Sequence, residues 1–214
     1  MPHGDALRHV KMAKTVWLVL LLVVYGNNAW AQDRIVLTFG DSLTAGYGLP
    51  AEDAFVARLQ ATLRQGGDAI VVRNGSVSGD TTPSGRARLA WTLAGKVDLV
   101  ILELGANDSL RGVDPFVTRT NLDAILAELA RRKIPVLLAG MLAPPNLGPE
   151  YEAAFNSIYP DLARQYGVRL YPFFLDGVAA EPALNQHDGL HPNAAGVRVI
   201  VAAITPYVLD LLKK

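Results

Sequence analysis

The sequence contains no cysteine. That removes thiolate nucleophiles, cysteine-ligated metals and disulfides at once, and it leaves no residue for a lipidated N-terminal cysteine. Histidine is nearly as scarce: of four, His3 and His9 fall in the first stretch of chain, and only His187 and His191 lie beyond it. Charge of either sign is not in excess, with 20 basic against 20 acidic residues. Nucleic-acid binders display a basic patch or stripe. The one dense cationic run here, Arg131-Arg132-Lys133, falls at the end of a predicted helix, where cations complement the helix dipole, so no nucleic-acid partner is expected. Two fingerprints are missing as well. No G-x-G-x-x-G follows the first predicted strand, which argues against a dinucleotide site, and no G-x-S-x-G elbow is present, which argues against the common α/β-hydrolase scheme.

The N-terminal stretch reads as a targeting segment. Arg8, Lys11 and Lys14 precede the apolar run Val16 to Tyr25, Gly26-Asn27-Asn28 interrupts it, and Ala29-Trp30-Ala31 follows. These are the charged region, apolar region and small-residue cleavage site of a secretory signal peptide. The run is shorter than the roughly 20 apolar residues that span a bilayer. The expectation is therefore a signal peptide over residues 1–31, cleaved after Ala31, and a periplasmic or secreted protein with no stable membrane anchor. Residues 32–214 then form one domain of ordinary size with a net charge of about −2. No repeat, low-complexity tract or linker divides it.

Hydrophobic patterning over that domain alternates between strand and helix. Ile35 to Phe39 is a buried strand; Phe55, Val56, Leu59 and Leu63 fall at helical spacing, and Gly66-Gly67 ends that helix. Ala69 to Val72 is a second strand, running out at Asn74-Gly75, and residues 84–93 are helical. Leu99-Val100-Ile101-Leu102 is the most continuous apolar strand and stops at Gly105. Asp114-Pro115 signals an N-cap and first-turn proline for a helix carrying Leu122, Ile125, Leu126 and Leu129. Pro135 to Ala139 is a fourth strand, residues 151–166 a helix, Val168 to Leu170 a short fifth strand, and Ala194 to Leu212 a last helix bent near Pro206. The alternation predicts a three-layer α/β fold around a parallel sheet. In such sheets the carboxyl ends of the strands converge on one crevice. The polar, glycine-rich clusters fall at those ends: Gly40 to Gly46, Asn74 to Thr82, and Gly105 to Asp108.

The first cluster holds Ser42 on a glycine-bracketed turn. A serine nucleophile needs a base, and His187 or His191 must supply it. Asp188 and His191 are three apart on a loop containing Gly189, a spacing that lets the carboxylate fix the imidazole tautomer and stabilise the imidazolium. His191 is the expected base and Asp188 its orienter. Oxyanion stabilisation requires positioned donors, for which the backbone N–H groups of Ser42 and Gly79 and the side-chain amide of Asn107 are the candidates.

On these residues the sequence resembles the GDSL or SGNH hydrolases. Gly40-Asp41-Ser42-Leu43 is similar to the first block of that family, Gly79 to the second, Asn107 within Gly-Ala-Asn-Asp to the third, and Asp188-x-x-His191 to the fifth. The blocks occur in order across nearly the whole domain. Asn74 to Thr81, Ser109-Leu110-Arg111-Gly112 and Phe155 to Pro160 resemble the periplasmic thioesterase I/protease I/lysophospholipase subgroup. The resemblance implies a flavodoxin-like five-stranded parallel sheet, a site without metal or cofactor, hydrolysis of acyl esters and thioesters, and a loop after Asn107 that helps line an acyl groove. Leu110, Leu142, Pro144, Pro145 and Leu190 are the candidate liners. Gly48-Leu49-Pro50, after the nucleophile block, departs from the subgroup.

Two other readings remain at the level of sequence. His187, Asp188 and His191, joined by Asp41 or Asp108, would suit a metal-dependent hydrolase, although Ser42 and Asn107 would then have no role. A non-catalytic protein capturing a small ligand on the same sheet is the second.

Overall fold

The computed structural model describes residues 33–66 and 69–213. The expected signal peptide and Gly67 lie outside the described residues. Five parallel strands form one sheet in the order β2-β1-β3-β4-β5. The strands are β1 Arg34–Gly40, β2 Ile70–Asn74, β3 Leu99–Glu103, β4 Val136–Ala139 and β5 Arg169–Tyr171. This is the flavodoxin-like arrangement, in which the strand order reverses beside β1 and opens a crevice at the carboxyl ends of β1 and β3.

The sheet sits at the centre because its inner strands have no polar face. All five residues of β3 are buried, as are all four of β4, the pattern of a parallel sheet covered on both sides. The helices are α1 Ser42–Ala45, α2 Phe55–Gln65, α3 Thr82–Thr92, α4 Ala106–Leu110, α5 Pro115–Arg131, α6 Pro149–Asn156, α7 Ile158–Tyr166 and α8 Ala194–Leu212. α2 packs on α8, and α3 and α7 pack on α5. The apolar faces behave as their spacing predicts: Phe55, Leu59 and Leu63 of α2 and Leu122, Ile125, Leu126 and Leu129 of α5 are buried. Asp114 caps α5 by accepting from Phe116 N at 2.8 Å, with Pro115 in the first turn.

Strand and helix ends differ from the sequence reading by a residue or two, and two features differ in kind. The helix expected over residues 151–166 is two helices. Pro160 removes an N–H, and its ring opposes the carbonyl four residues earlier, that of Asn156; α6 ends at that residue and α7 begins at Ile158. The freed Asn156 side chain accepts from Ala143 N at 2.8 Å. The second difference is that α1 and α4 stand where turns were expected. Neither is long enough to show a periodic pattern, and both begin at the carboxyl end of a strand.

Candidate active site

Register brings the first elements of the site together. Gly40, the last residue of β1, is paired with Glu103, the last of β3. A Cβ on Gly40 would lie 2.3 Å from Thr44 Oγ1 and 2.4 Å from the Glu103 carbonyl, so no other residue fits. The chain then turns directly into α1. Asp41 caps that helix, its Oδ1 accepting from Leu43 N at 3.0 Å. Ser42 is the first helical residue and is only 9% exposed. Its N–H is among those that a helix start leaves without an intrahelical acceptor.

The loop before α8 carries the second part. Asp188 Oδ1 accepts from Leu190 N at 2.9 Å and His191 N at 3.0 Å. That local turn, with Gly189 at φ +69°, is the reason a carboxylate three residues away meets the imidazole. Asp188 Oδ2 lies 2.6 Å from His191 Nδ1, and His191 Nε2 lies 2.9 Å from Ser42 Oγ. The backbone bonds from His191 and Leu190 hold the Asp188 carboxyl down at about 2, so it is ionised wherever the imidazole needs an acceptor. Beyond the loop, Asn193 caps α8 through Ala195 N and Gly196 N.

Asn107 enters from α4. Gly105, which caps that helix, has φ +121°, and a Cβ there would sit 2.1 Å from the Tyr159 hydroxyl. Asn107 Nδ2 donates to Asp41 Oδ2 at 3.1 Å, which leaves the second amide hydrogen free to serve an oxyanion. Gly79 occupies an exposed turn with φ +85°, and its carbonyl accepts from Arg111; it is not among the residues lining the cleft described next.

A cleft of about 430 Å³ opens beside the Ser42–His191 pair. Leu110, Leu142, Pro144, Pro145 and Leu190 all line it, joined by Met141, Phe173 and Leu175, which the sequence did not single out. His187 is exposed and faces a neighbouring cavity of about 810 Å³ with Pro182, Gln186 and Asn193. The metal reading loses its donors on geometry. Both ring nitrogens of His191 are engaged, Asp41 is bonded to Leu43 and Asn107, and Asp108 is bonded to Thr82 N and Oγ1 at 2.8 and 2.6 Å. Among the described residues no cluster of three His, Asp or Glu side chains is placed to hold a metal ion.

Residues 38–199 match the model of the GDSL-like lipase/acylhydrolase family. The chain belongs to that family. As a GDSL-like acylhydrolase of the SGNH type it is a serine ester hydrolase, with the five-stranded α/β sheet expected of one. It is 40% identical over 182 residues to an arylesterase of Vibrio mimicus, covering 85% of this chain and 90% of that protein. It is 39% identical over 175 residues to thioesterase 1/protease 1/lysophospholipase L1 of Escherichia coli K12, covering 81% and 82%. Among solved structures it is similar to AlinE4, described as an SGNH-hydrolase family esterase, at 48% identity and a TM-score of 0.71, covering 85% of this chain and 97% of that one.

Three parts of the GDSL-like site escaped the sequence reading. Glu103 is fully buried behind Asp41. A charged residue at the end of the most apolar strand was a legible signal for it, since Glu is almost never buried unpaired. The ring of Tyr47 lies 4.7 Å from that of His191, and Gln186 bridges the loop carrying His191 and the loop that follows Ser42. Neither had a signal, because each contact joins distant parts of the chain through an exposed loop.

Proposed function

We propose that this chain is an exported enzyme that hydrolyses carboxylic esters, and acyl thioesters of similar shape, through an acyl-serine on Ser42. The observation that carries the reading is the continuous hydrogen-bonded line Ser42 Oγ to His191 Nε2 and His191 Nδ1 to Asp188 Oδ2. Ser42 Oγ attacks the acyl carbonyl while His191 takes its proton, and the ionised Asp188 holds the imidazolium that forms. The tetrahedral oxyanion is met by Ser42 N–H and the free hydrogen of Asn107 Nδ2; Gly79 N–H, the third expected donor, sits on a turn outside the cleft lining. Preorganised donors of this kind supply the largest single part of transition-state stabilisation. The carbonyl then re-forms, the bond to the leaving alcohol or thiol breaks, and His191 returns the proton to it. Water attacks the acyl-serine by the same route in reverse.

The substrate follows from the cleft. Away from Ser42 and His191 its walls are mainly apolar side chains, and burying an acyl chain there is favourable by about 0.8 kcal/mol per methylene. Aryl esters, lysophospholipids and acyl thioesters share such an acyl part. Arylesterase and lysophospholipase names among the relatives agree with this. Export rests on the charged, apolar and small-residue segments of the first 31 residues.

The test is covalent. Incubation with a fluorophosphonate should add one adduct to the intact mass of the parent and none to Ser42→Ala. Ser42→Ala should also lose nearly all turnover of p-nitrophenyl butyrate. Substantial turnover by Ser42→Ala would sink the assignment. A chain-length series of p-nitrophenyl esters, beside a lysophospholipid and an acyl thioester, ranks the substrates.

A further inference from the structure

Directly behind the nucleophile lie two carboxyl groups with no cation between them. Asp41 and Glu103 are both fully buried, and the two carboxyls are within hydrogen-bonding reach of each other. Glu103 Oε2 accepts from Thr44 Oγ1 at 3.1 Å and from Asp41 N at 3.4 Å. Its other oxygen, Oε1, meets no donor. A buried carboxylate oxygen without a donor is costly, but an oxygen that carries its own proton needs an acceptor instead, and the Asp41 carboxylate is the acceptor at hand. Asp41 in turn spends Oδ1 on Leu43 N and Oδ2 on Asn107 Nδ2.

The other ionisable groups that face this pair are His191 and Tyr159. The Arg88 guanidinium, which reaches the Gly40 carbonyl, also bonds Asp80 and the carbonyl of Gly75. With two acids side by side in a low-dielectric site, one keeps its proton. Burial, and then the charge of Asp41, push Glu103 well above its ordinary value, while burial lifts Asp41 only to about 6. Both Asp41 oxygens accept N–H donors whereas Glu103 Oε1 meets none, so the proton belongs on Glu103.

We propose that Glu103 is a neutral carboxylic acid whose O–H donates to the Asp41 carboxylate, and that Asp41, so held, aims the Asn107 amide at the oxyanion. Both are positioning residues, and the proposal rests on the reading of Asn107 as an oxyanion donor. One end of this hydrogen-bonded line is a proton buried at the end of β3, and the other is the reacting carbonyl. Asp41 links them because its two oxygens each have one assigned donor. An amide at position 41 turns one of those acceptors into a donor, which then opposes either Leu43 N–H or Asn107 N–H.

The experiment is a set of variants measured for kcat, KM and melting temperature. Glu103→Gln presents an amide N–H to Asp41 and a carbonyl to Thr44, so it should keep kcat within about threefold of the parent. Glu103→Leu should lower kcat at least tenfold with little change in KM. If Glu103→Gln is as impaired as Glu103→Leu, Glu103 acts as a charge and the proposal is wrong. The second arm is a double-mutant cycle. Asn107→Ala alone should lower kcat about 100-fold, the typical effect of losing one oxyanion donor, and Asp41→Asn alone about tenfold. In the Asn107→Ala background Asp41→Asn should have almost no further effect on kcat. Full additivity would show Asp41 to be merely structural and overturn the proposal. Ser42→Ala run in parallel separates the two levels: if it retains activity, the serine mechanism itself is wrong, whereas an inactive Ser42→Ala with an additive cycle rejects only the positioning role.

Discussion

Gln186 Nε2 donates to the carbonyl of Tyr47 at 2.8 Å and to that of Pro192 at 3.0 Å, and Gln186 N donates to the His191 carbonyl at 2.7 Å. One residue thus ties the loop carrying His191 to the loop that follows Ser42. The Ser42–His191 contact spans 149 positions of chain, and this strap joins the two loops that meet there. Gln186→Ala should lower kcat several-fold with little change in KM, and should cost about 1 kcal/mol of stability for each side-chain bond lost. Gly48→Ala should behave similarly, since a Cβ there would sit 2.2 Å from Gln186 Oε1 and φ is +72°. Unchanged kcat in both variants would remove the strap from the mechanism.

Asp188 is 38% exposed at its side chain, so water can replace part of what its carboxylate does. Asp188→Asn should therefore lose less activity than His191→Ala, roughly 100-fold against near-complete loss, compared with about 10⁴-fold for a fully buried triad aspartate. Steady-state rates with p-nitrophenyl acetate decide it. Equal loss in the two variants would mean that the carboxylate is indispensable despite its exposure.

Leu142 is 44% exposed at the cleft wall, so a polar replacement should be tolerated by the fold. Leu142→Glu should raise KM for an octanoyl ester about tenfold and leave the acetyl ester nearly unchanged, because only the longer chain reaches that wall. A uniform change across the series would place the acyl chain elsewhere.

The buried acid pair carries a pH signature. Asp41 and Glu103 titrate above their ordinary values of 3.8 and 4.5. Above those values the unfolded chain has released protons that the folded chain keeps, so these groups make stability fall as pH rises. Asp188 has the opposite sign: its value is depressed, so its contribution is present above 3.8 and is lost as pH falls towards 2. Glu103→Gln removes the Glu103 part of the first effect. Its melting temperature relative to the parent should climb as pH rises above 5. Parallel curves would show that Glu103 does not hold a proton.

Tyr159 is fully buried, and its hydroxyl donates to the Leu104 carbonyl at 2.8 Å. The same oxygen occupies the space beside Gly105. Tyr159→Phe should cost about 1–3 kcal/mol by leaving that carbonyl without a donor. Gly105→Ala should be more damaging, with part of its effect relieved in the Gly105→Ala/Tyr159→Phe double variant. Thermal denaturation of the three proteins checks this, and strict additivity would contradict the contact.

Ser42, Asn107, Asp188 and His191 were legible because each stands in a short, chemically specific cluster at a strand end or a tight loop. The order of strands and helices was legible because apolar spacing records which face each element buries. The break in residues 151–166 was legible in principle, since Pro160 opposes the helix carbonyl of Asn156. The acid pair was half legible: Glu103 is anomalous in its strand, but its partner is set by the pairing of β1 with β3.

What the sequence determined by itself was local. Apolar period, turn residues and caps fix which segments become strands and helices. The Asp188-x-x-His191 spacing fixes a carboxylate against an imidazole, because that turn needs only its own backbone. What only the tertiary structure decided was everything joined across the sheet: the Ser42–His191 contact, the Gln186 strap, the Tyr47 ring on His191, and Glu103 behind Asp41. Those depend on strand register and loop packing, where residues far apart in the chain meet only after the core has closed and a shift of one residue would separate them.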